Sequence, residues 1–433
     1  MWKKFDVSDK GEMILDGVNV CDLARKYGTP LIIIEENEVR KVCRSYMDRI
    51  HAKYPNGKIA YASKAFMTTA ICKIVESEGL YLDVVSEGEL LTAKNAGFDM
   101  KKVYYHGNAK TDEEIYRAVS LGVGCIVIDG DQEIPVIEKA AEKYGITQRV
   151  GVRLKPGIDA HTHKYILTGN EDSKFGFGIN DGTADSVISL IAGAENISLE
   201  AVHCHIGSQI FDTKCFMEAV DIMTDYIKIL QDRGIHINEI NFGGGFGIHY
   251  TDSDTPLSYE SYVSVIADTL NECISRKGLG ELSFTLEPGR SIIGEAGTTI
   301  YKTISIKDIP GIRKYVSIDG GMTDNPRTAL YQAEFSAVNA SRADMKPDTV
   351  ASIAGRCCES GDMIIWDAEL KEPKVGDYIA VFSTGAYTYS MSSNYNKVPQ
   401  PAVVLINKGK DSLIVKRQTF DQLIENDVIP DWI

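Results

Sequence analysis

The chain reads as an α/β protein, a (β/α)8 TIM-like barrel joined to a second, mostly antiparallel β domain. Three observations predict this. Eight short β-branched runs alternate with helical patterns over about 250 residues, the count and length of such a barrel. Near residue 280 the rhythm breaks into alternating apolar and polar segments separated by Gly, Pro and Asp turns. A chain of 433 residues also exceeds what one hydrophobic core of roughly 250–300 residues supports. The expected division is a barrel over residues 28–280 and a β-rich domain built from 1–27 plus 281–433.

The strand candidates in order are LIIIEE (31–36), KIAYAS (58–63), YLDVVS (81–86), VYYHG (103–107), CIVIDG (125–130), RVGVRL (149–154), EAVHCHIG (200–207) and EINFGGG (239–245). Amphipathic stretches at 38–50, 68–78, 87–96, 112–121, 132–144, 214–233 and 259–277 supply the helices. A doubly wound sheet would carry a glycine fingerprint after its first strand, and none follows Glu36. Beyond 280, segments such as LSFTLEPGRSIIG, TTIYKTISIKDI, KYVSIDGG, DYIAVFSTGAY and AVVLINKGKDSLIVKR read as antiparallel strands, with a helical pattern only at 420–425. The early MILDGVNV reads as a strand and hairpin that joins the C-terminal domain.

The net charge of −15 disfavours nucleic acid or an anionic membrane surface as the main partner. No apolar run follows Lys3 and Lys4, so no secretory signal is expected, and the apolar run 31–34 is far too short to span a bilayer. Nine cysteines without zinc or disulfide spacing point to a reducing, cytoplasmic compartment.

Reactive groups in such a barrel sit at the C-terminal ends of the strands, and phosphate often binds after strands seven and eight. NFGGGFG (241–247) offers Gly243, Gly244 and Gly245, whose backbone lets an anion approach closely, and HCHIGSQ (203–209) adds Gly207 and Ser208. Lys64 closes the second strand candidate, where a lysine can form a Schiff base. His203 and His205 lie two apart, as on one strand face, and His161 and His163 repeat the spacing; a metal-dependent barrel hydrolase is the competing reading from another class. EPGR (287–290) pairs a carboxylate with a guanidinium, GRCCESGD (355–362) sets two thiols beside Glu359 and Asp362, and Tyr387 follows shortly after Gly385. Arg327 and Tyr331 would share a face if their stretch is helical.

Together, YASKA, DVVSEGE, HCHIGSQ, NFGGGFG, EPGR, DNPRTALY, GRCCESGD and GAYTYSMSSNYN resemble, in order and over nearly the whole chain, the fold-type III pyridoxal-phosphate-dependent amino-acid decarboxylases. DAHTHKYILTG (159–169) and SKFGFG (173–178) resemble the diaminopimelate-decarboxylase family within them. Thr328 stands where that family often has proline, and Phe335 lies near where it has a second histidine.

The resemblance implies an alanine-racemase-like architecture, pyridoxal 5'-phosphate as cofactor and decarboxylation of meso-2,6-diaminopimelate to L-lysine. Other basic amino acids (ornithine, lysine, carboxynorspermidine) are the alternative substrates. Lys64 would hold the cofactor covalently and His205 would stack on its ring. Ser208, Gly243, Gly244, Gly245, Gly289 and Arg290 would surround the phosphate. Glu287 would bond the ring nitrogen, and Asp83 and Arg153 would support the site. Arg290, Arg327 and Tyr331 would take the substrate's distal carboxylate, Glu359 its distal amine, and Tyr387 both cofactor and substrate. Cys358 would donate a proton, acting with Glu359 in the partner subunit's site, so that a homodimer is the working unit.

Overall fold

A computed structural model describes residues 1–158 and 173–433. Two compact units emerge: Arg40–Gly247 with Thr255–Ile292, and Met1–Val39 with Ile248–Asp254 and Ile293–Ile433.

The first unit is a closed barrel of eight parallel strands: β1 (Lys58–Ala62), β2 (Tyr81–Val84), β3 (Val103–Tyr105), β4 (Cys125–Ile128), β5 (Gln148–Lys155), β6 (Ile197–His203), β7 (Glu239–Asn241) and β8 (Ser283–Leu286). Each pairs with the next, β8 pairs with β1, and the β4–β5 pairing Ile126 to Val150 leaves no open edge. The covering helices are amphipathic. Lys214–Asp232 buries Phe216, Ala219, Val220, Met223, Ile227 and Leu230, the three-and-four spacing of a single helix face.

The strand count was legible, but its register was displaced. Residues 31–35 do form a strand, yet it belongs to the β unit, antiparallel to Gly297–Ile309 and parallel to Ala402–Asn407. The eighth barrel strand is instead Ser283–Leu286, expected in the β domain. The physical reason is that all five residues of Leu31–Glu35 are buried, and a continuous apolar run reads the same in the centre of either sheet. The barrel therefore begins with a helix, Glu36–Lys53, whose Arg40 and Arg44 pair with Glu78 while Lys53 pairs with Asp268 on the other side. Both unit boundaries consequently fall twelve residues later than the divisions expected at 28 and 280. The strand Phe177–Gly178 and the helix Thr183–Ala192 were not read from the pattern.

In the β unit, the long strand Gly297–Ile309 pairs over its first half with Leu31–Glu35 and Tyr378–Phe382, and over its second half with Arg313–Ile318. The hairpin Met13–Leu15 and Val18–Asn19 forms its own small sheet with Asp6–Val7. Met13, Leu15 and Val18 nonetheless share a core with Ile300, Phe382 and Val404. The helical pattern at 420–425 yields only the single 3-10 turn Asp421–Leu423.

Candidate active site

The corrected strand register puts a polar residue at the C-terminal end of nearly every barrel strand. Lys64 lies in the 3-10 turn Ser63–Ala65 directly after β1, itself exposed between two buried neighbours. Asp83 belongs to β2, His106 follows β3, Arg153 belongs to β5, His203 ends β6, Asn241 ends β7, and Glu287 follows β8. The glycine run thus follows strand seven and Arg290 follows strand eight, the places where such barrels bind phosphate.

Glu287 is the centre. Its Oε1 accepts from His106 Nε2 at 2.9 Å and Asn241 Nδ2 at 2.7 Å, and its Oε2 accepts from His203 Nε2 at 3.1 Å. Burial pushes the carboxyl up, but His106 and His203 outweigh it and hold it well below the usual carboxylate range. Burial pushes His203 down to about 4, so this imidazole is neutral and donates from Nε2. Asp83 is raised by burial, against the pull of His106 and Lys64.

His205 is held neutral by burial and by the Lys64 and Arg153 charges, and its Nδ1 accepts the Gly244 N–H at 3.3 Å. The strand ends at His203, and the two imidazoles take different partners, Glu287 and Gly244 respectively. His161 and His163 lie outside the described residues. Among the described residues one ligand-type cluster, His106, His203 and Glu287, places its atoms within 4.8 Å of one another. In it both Nε2 atoms face the ionised carboxylate and take the donor role there.

The glycines follow from close packing. A Cβ on Gly244 would meet the Glu287 carbonyl oxygen at 2.2 Å, and one on Gly245 the Gly207 carbonyl oxygen at 2.3 Å. Gly243 N donates to Asn241 Oδ1 at 2.9 Å. Arg290 Nη2 donates to Ser208 Oγ at 3.0 Å, joining the ends of two strands. Gly289 lies against Ala62, whose carbonyl oxygen would be 3.0 Å from an added Cβ. Arg153 pairs with Asp129 and covers the Phe175 ring at 4.3 Å, which docks the SKFGFG segment at this end of the barrel.

The remaining predicted residues form a second group inside the β unit. Arg327–Tyr331 is helical, and the Arg327 guanidinium lies 5.3 Å from the Tyr250 ring and 5.8 Å from those of Tyr331 and Tyr387. Tyr387 is held at φ 59°, the left-handed region that a tyrosine rarely adopts. Thr328 donates from Oγ1 to the Ile364 carbonyl at 2.9 Å, a contact the family's usual proline lacks. The loop bearing Arg327 is joined to the loop bearing Cys358 by buried Asp362, which accepts from Met322 N at 2.6 Å and Cys357 N at 2.7 Å. Cys358 and Glu359 themselves are exposed. Burial pushes nearby Asp324 up to about 7, and Tyr301 Oη donates to it.

The pyridoxal binding domain of the pyridoxal-dependent decarboxylases matches residues 39–294. Diaminopimelate decarboxylase of Bacillus subtilis (strain 168) is 45% identical over 96% of this chain and 95% of its own length. That of Staphylococcus aureus (strain COL) is 44% identical over 97% and 98%. The crystal structure of diaminopimelate decarboxylase from M. jannaschii superposes with a TM-score of 0.91 at 34% identity, covering 99% of this chain and 98% of that one. The chain belongs to the diaminopimelate decarboxylase family.

It is accordingly a pyridoxal-phosphate-dependent decarboxylase, and the residues present fit that cofactor. They include an amine on a strand-end turn, a neutral flat imidazole, a glycine cradle beside Ser208 and Arg290, and a buried ionised carboxylate. Around them Ser63 Oγ, Asp83 Oδ1 and His203 Nδ1 are buried with no hydrogen-bond partner among the described residues. His106 and Asn241 were not singled out by the sequence reading, which named Asp362 only as an acid beside the two thiols. The signal for the first two was position alone: each stands at or just past a strand end, in YYHG and EINF.

Proposed function

We propose that this chain decarboxylates meso-2,6-diaminopimelate to L-lysine and CO2. Within the family, a relative from M. jannaschii was crystallised in complex with L-lysine. Pyridoxal phosphate, when bound, supplies the electron sink for the carbanion left as CO2 departs. The observation that carries the reading is Glu287: a buried, ionised carboxylate with three donors has one lone-pair position left, on Oε2, for the ring nitrogen.

In this reading Lys64 holds the cofactor and the neutral His205 ring stacks on it. Gly243 and Gly244 direct their N–H groups to Asn241 and His205, so Gly245, Ser208 and Arg290, with Gly289 close by, take the phosphate. Asp83 and Arg153 support the same strand ends. With Arg290 engaged at Ser208, the substrate's distal carboxylate falls to Arg327 and Tyr331. Tyr387 contacts cofactor and substrate. Glu359 reads the distal ammonium and Cys358 delivers a proton to the carbanion carbon. The exposure of both supports a homodimer in which they serve the partner subunit's site. Nine free thiols support a reducing cytoplasm as the compartment. No described helix is long and apolar enough to cross a membrane.

Lys64→Ala tests the cofactor anchor: turnover should vanish and the visible band of the reconstituted holoenzyme should disappear, with folding retained by thermal melt. Normal turnover would remove Lys64 from the mechanism. Arg327→Ala tests the substrate. The parent should prefer diaminopimelate over L-lysine by at least ~10³-fold in kcat/KM, because lysine leaves the guanidinium without its carboxylate. The variant should lose activity on diaminopimelate far more than on lysine. Equal rates of the parent on both substrates would move the assignment to a general basic amino-acid decarboxylase.

A further inference from the structure

We propose that His106 is a positioning residue of this decarboxylase: its Nε2–H fixes the Glu287 carboxylate so that Oε2 faces the cofactor's ring nitrogen. The inference rests on the Glu287 contact proposed above. His106 is 5% exposed and stands 2.9 Å from Glu287 Oε1. Asp83 Oδ1 is 3.9 Å from the same nitrogen, beyond hydrogen-bond range, so the proton is committed to Glu287.

The imidazole has little freedom to do anything else. His106 N donates to the Val84 carbonyl at 2.8 Å, anchoring β3's exit to β2. Lys110, in the same loop, donates to the Gly107 carbonyl at 2.7 Å and, in the buried interior, to the Val127 carbonyl and Glu133 at 2.8 Å each. The His203 ring crosses the His106 ring edge-on at 4.7 Å, and its own Nε2 takes the second oxygen of Glu287. Two histidines thus hold the two oxygens of one carboxylate, and Asn241 completes Oε1. Without His106, Oε1 keeps only the neutral Asn241 donor, so the carboxylate is held less firmly and loses the partner that best favours its anionic form. The charged or titratable groups facing His106 are Glu287 from β8, Asp83 from β2, His203 from β6 and Arg153 from β5.

The test compares three holoenzyme variants reconstituted with pyridoxal phosphate: His106→Phe, His106→Gln and Glu287→Gln. Phenylalanine keeps a flat ring without the donor, whereas glutamine can place an amide N–H near the position of Nε2. The readouts are the NMR shift of an isotopically labelled ring nitrogen across pH, the visible absorption across pH, and kcat/KM. His106→Phe should weaken proton retention at the ring nitrogen about tenfold and lower kcat about 10–100-fold, the range for losing a hydrogen bond to a charged group. His106→Gln should stay within about threefold of the parent, since it restores that one bond. A parent-like nitrogen titration in His106→Phe, or equal impairment of the phenylalanine and glutamine variants, overturns the proposal. If Glu287→Gln leaves the ring nitrogen unchanged, the Glu287 contact and the proposal fall together. If Glu287→Gln moves it and His106→Phe does not, only the role of His106 falls. Should His106→Phe fail to fold, His106→Asn takes its place, its shorter amide expected to show the same loss.

Discussion

Two glutamates buried at opposite ends of the barrel, Glu239 and Glu287, are treated differently. Glu239 opens β7 and Glu287 follows β8, and three strands contribute to both layers at positions two residues apart. Tyr104 and His106 come from β3, Glu239 and Asn241 from β7, Thr285 and Glu287 from β8. Period-two alternation explains why these pairs share the interior face. At the lower layer the carboxylate is saturated. Tyr104 Oη at 2.6 Å and Thr285 Oγ1 at 3.0 Å bond Oε1, while Arg149 Nη2 at 2.7 Å and Lys58 bond Oε2. At the upper layer Glu287 has three donors, none a permanent cation, and orphaned polar atoms stand around it. A closed set of permanent charges holds strands together. A set with one lone pair unspent and titratable neighbours is arranged to receive something else.

Matched substitutions break or sharpen this contrast. Glu287→Ala should lower kcat/KM by about 10³-fold, the scale for losing one preorganised electrostatic contact, while the thermal midpoint stays near the parent's. Glu239→Ala should do the reverse. It leaves Arg149 and Lys58 facing each other without their anion, at a cost of about 3–5 kcal/mol in denaturant unfolding, with kcat retained in the folded fraction. Equal losses of stability and turnover in both variants would dissolve the distinction. The smallest effect is in acid. Burial raises Glu239, but Arg149 and Lys58 more than compensate and lower it below its ordinary value of 4.5. Its contribution is therefore fully present above that value and is lost as pH falls through the lowered one. Glu239→Gln should flatten the acid limb of the unfolding profile in that window; an unchanged limb would mean that other carboxylates set it.

How far the site could be read ahead of its geometry differs by residue. Lys64, the glycine run, Glu287 and Arg290 sit in strings whose residue types announce their chemistry, and the geometry brings them to one end of the barrel. His106 and Asn241 carry no local signal beyond their place at a strand end. A histidine after a strand and an asparagine at its end become parts of a carboxylate clamp only when β3, β7 and β8 converge. Likewise, nothing in GRCCESGD says that Asp362 joins it to the loop of Arg327.

By itself the sequence determined the alternation of strand and helix, the change to antiparallel pattern and the reactive residue types, because these depend on periodicity and local chemistry. Only the tertiary structure decided which apolar run closes the barrel. Leu31–Glu35 and Ser283–Leu286 are both short buried strands, and their sheet membership is set by partners far away in the chain. It also decided which of two interior glutamates is spent on the fold and which is left open, since that depends on which donors the neighbouring strands deliver to each oxygen.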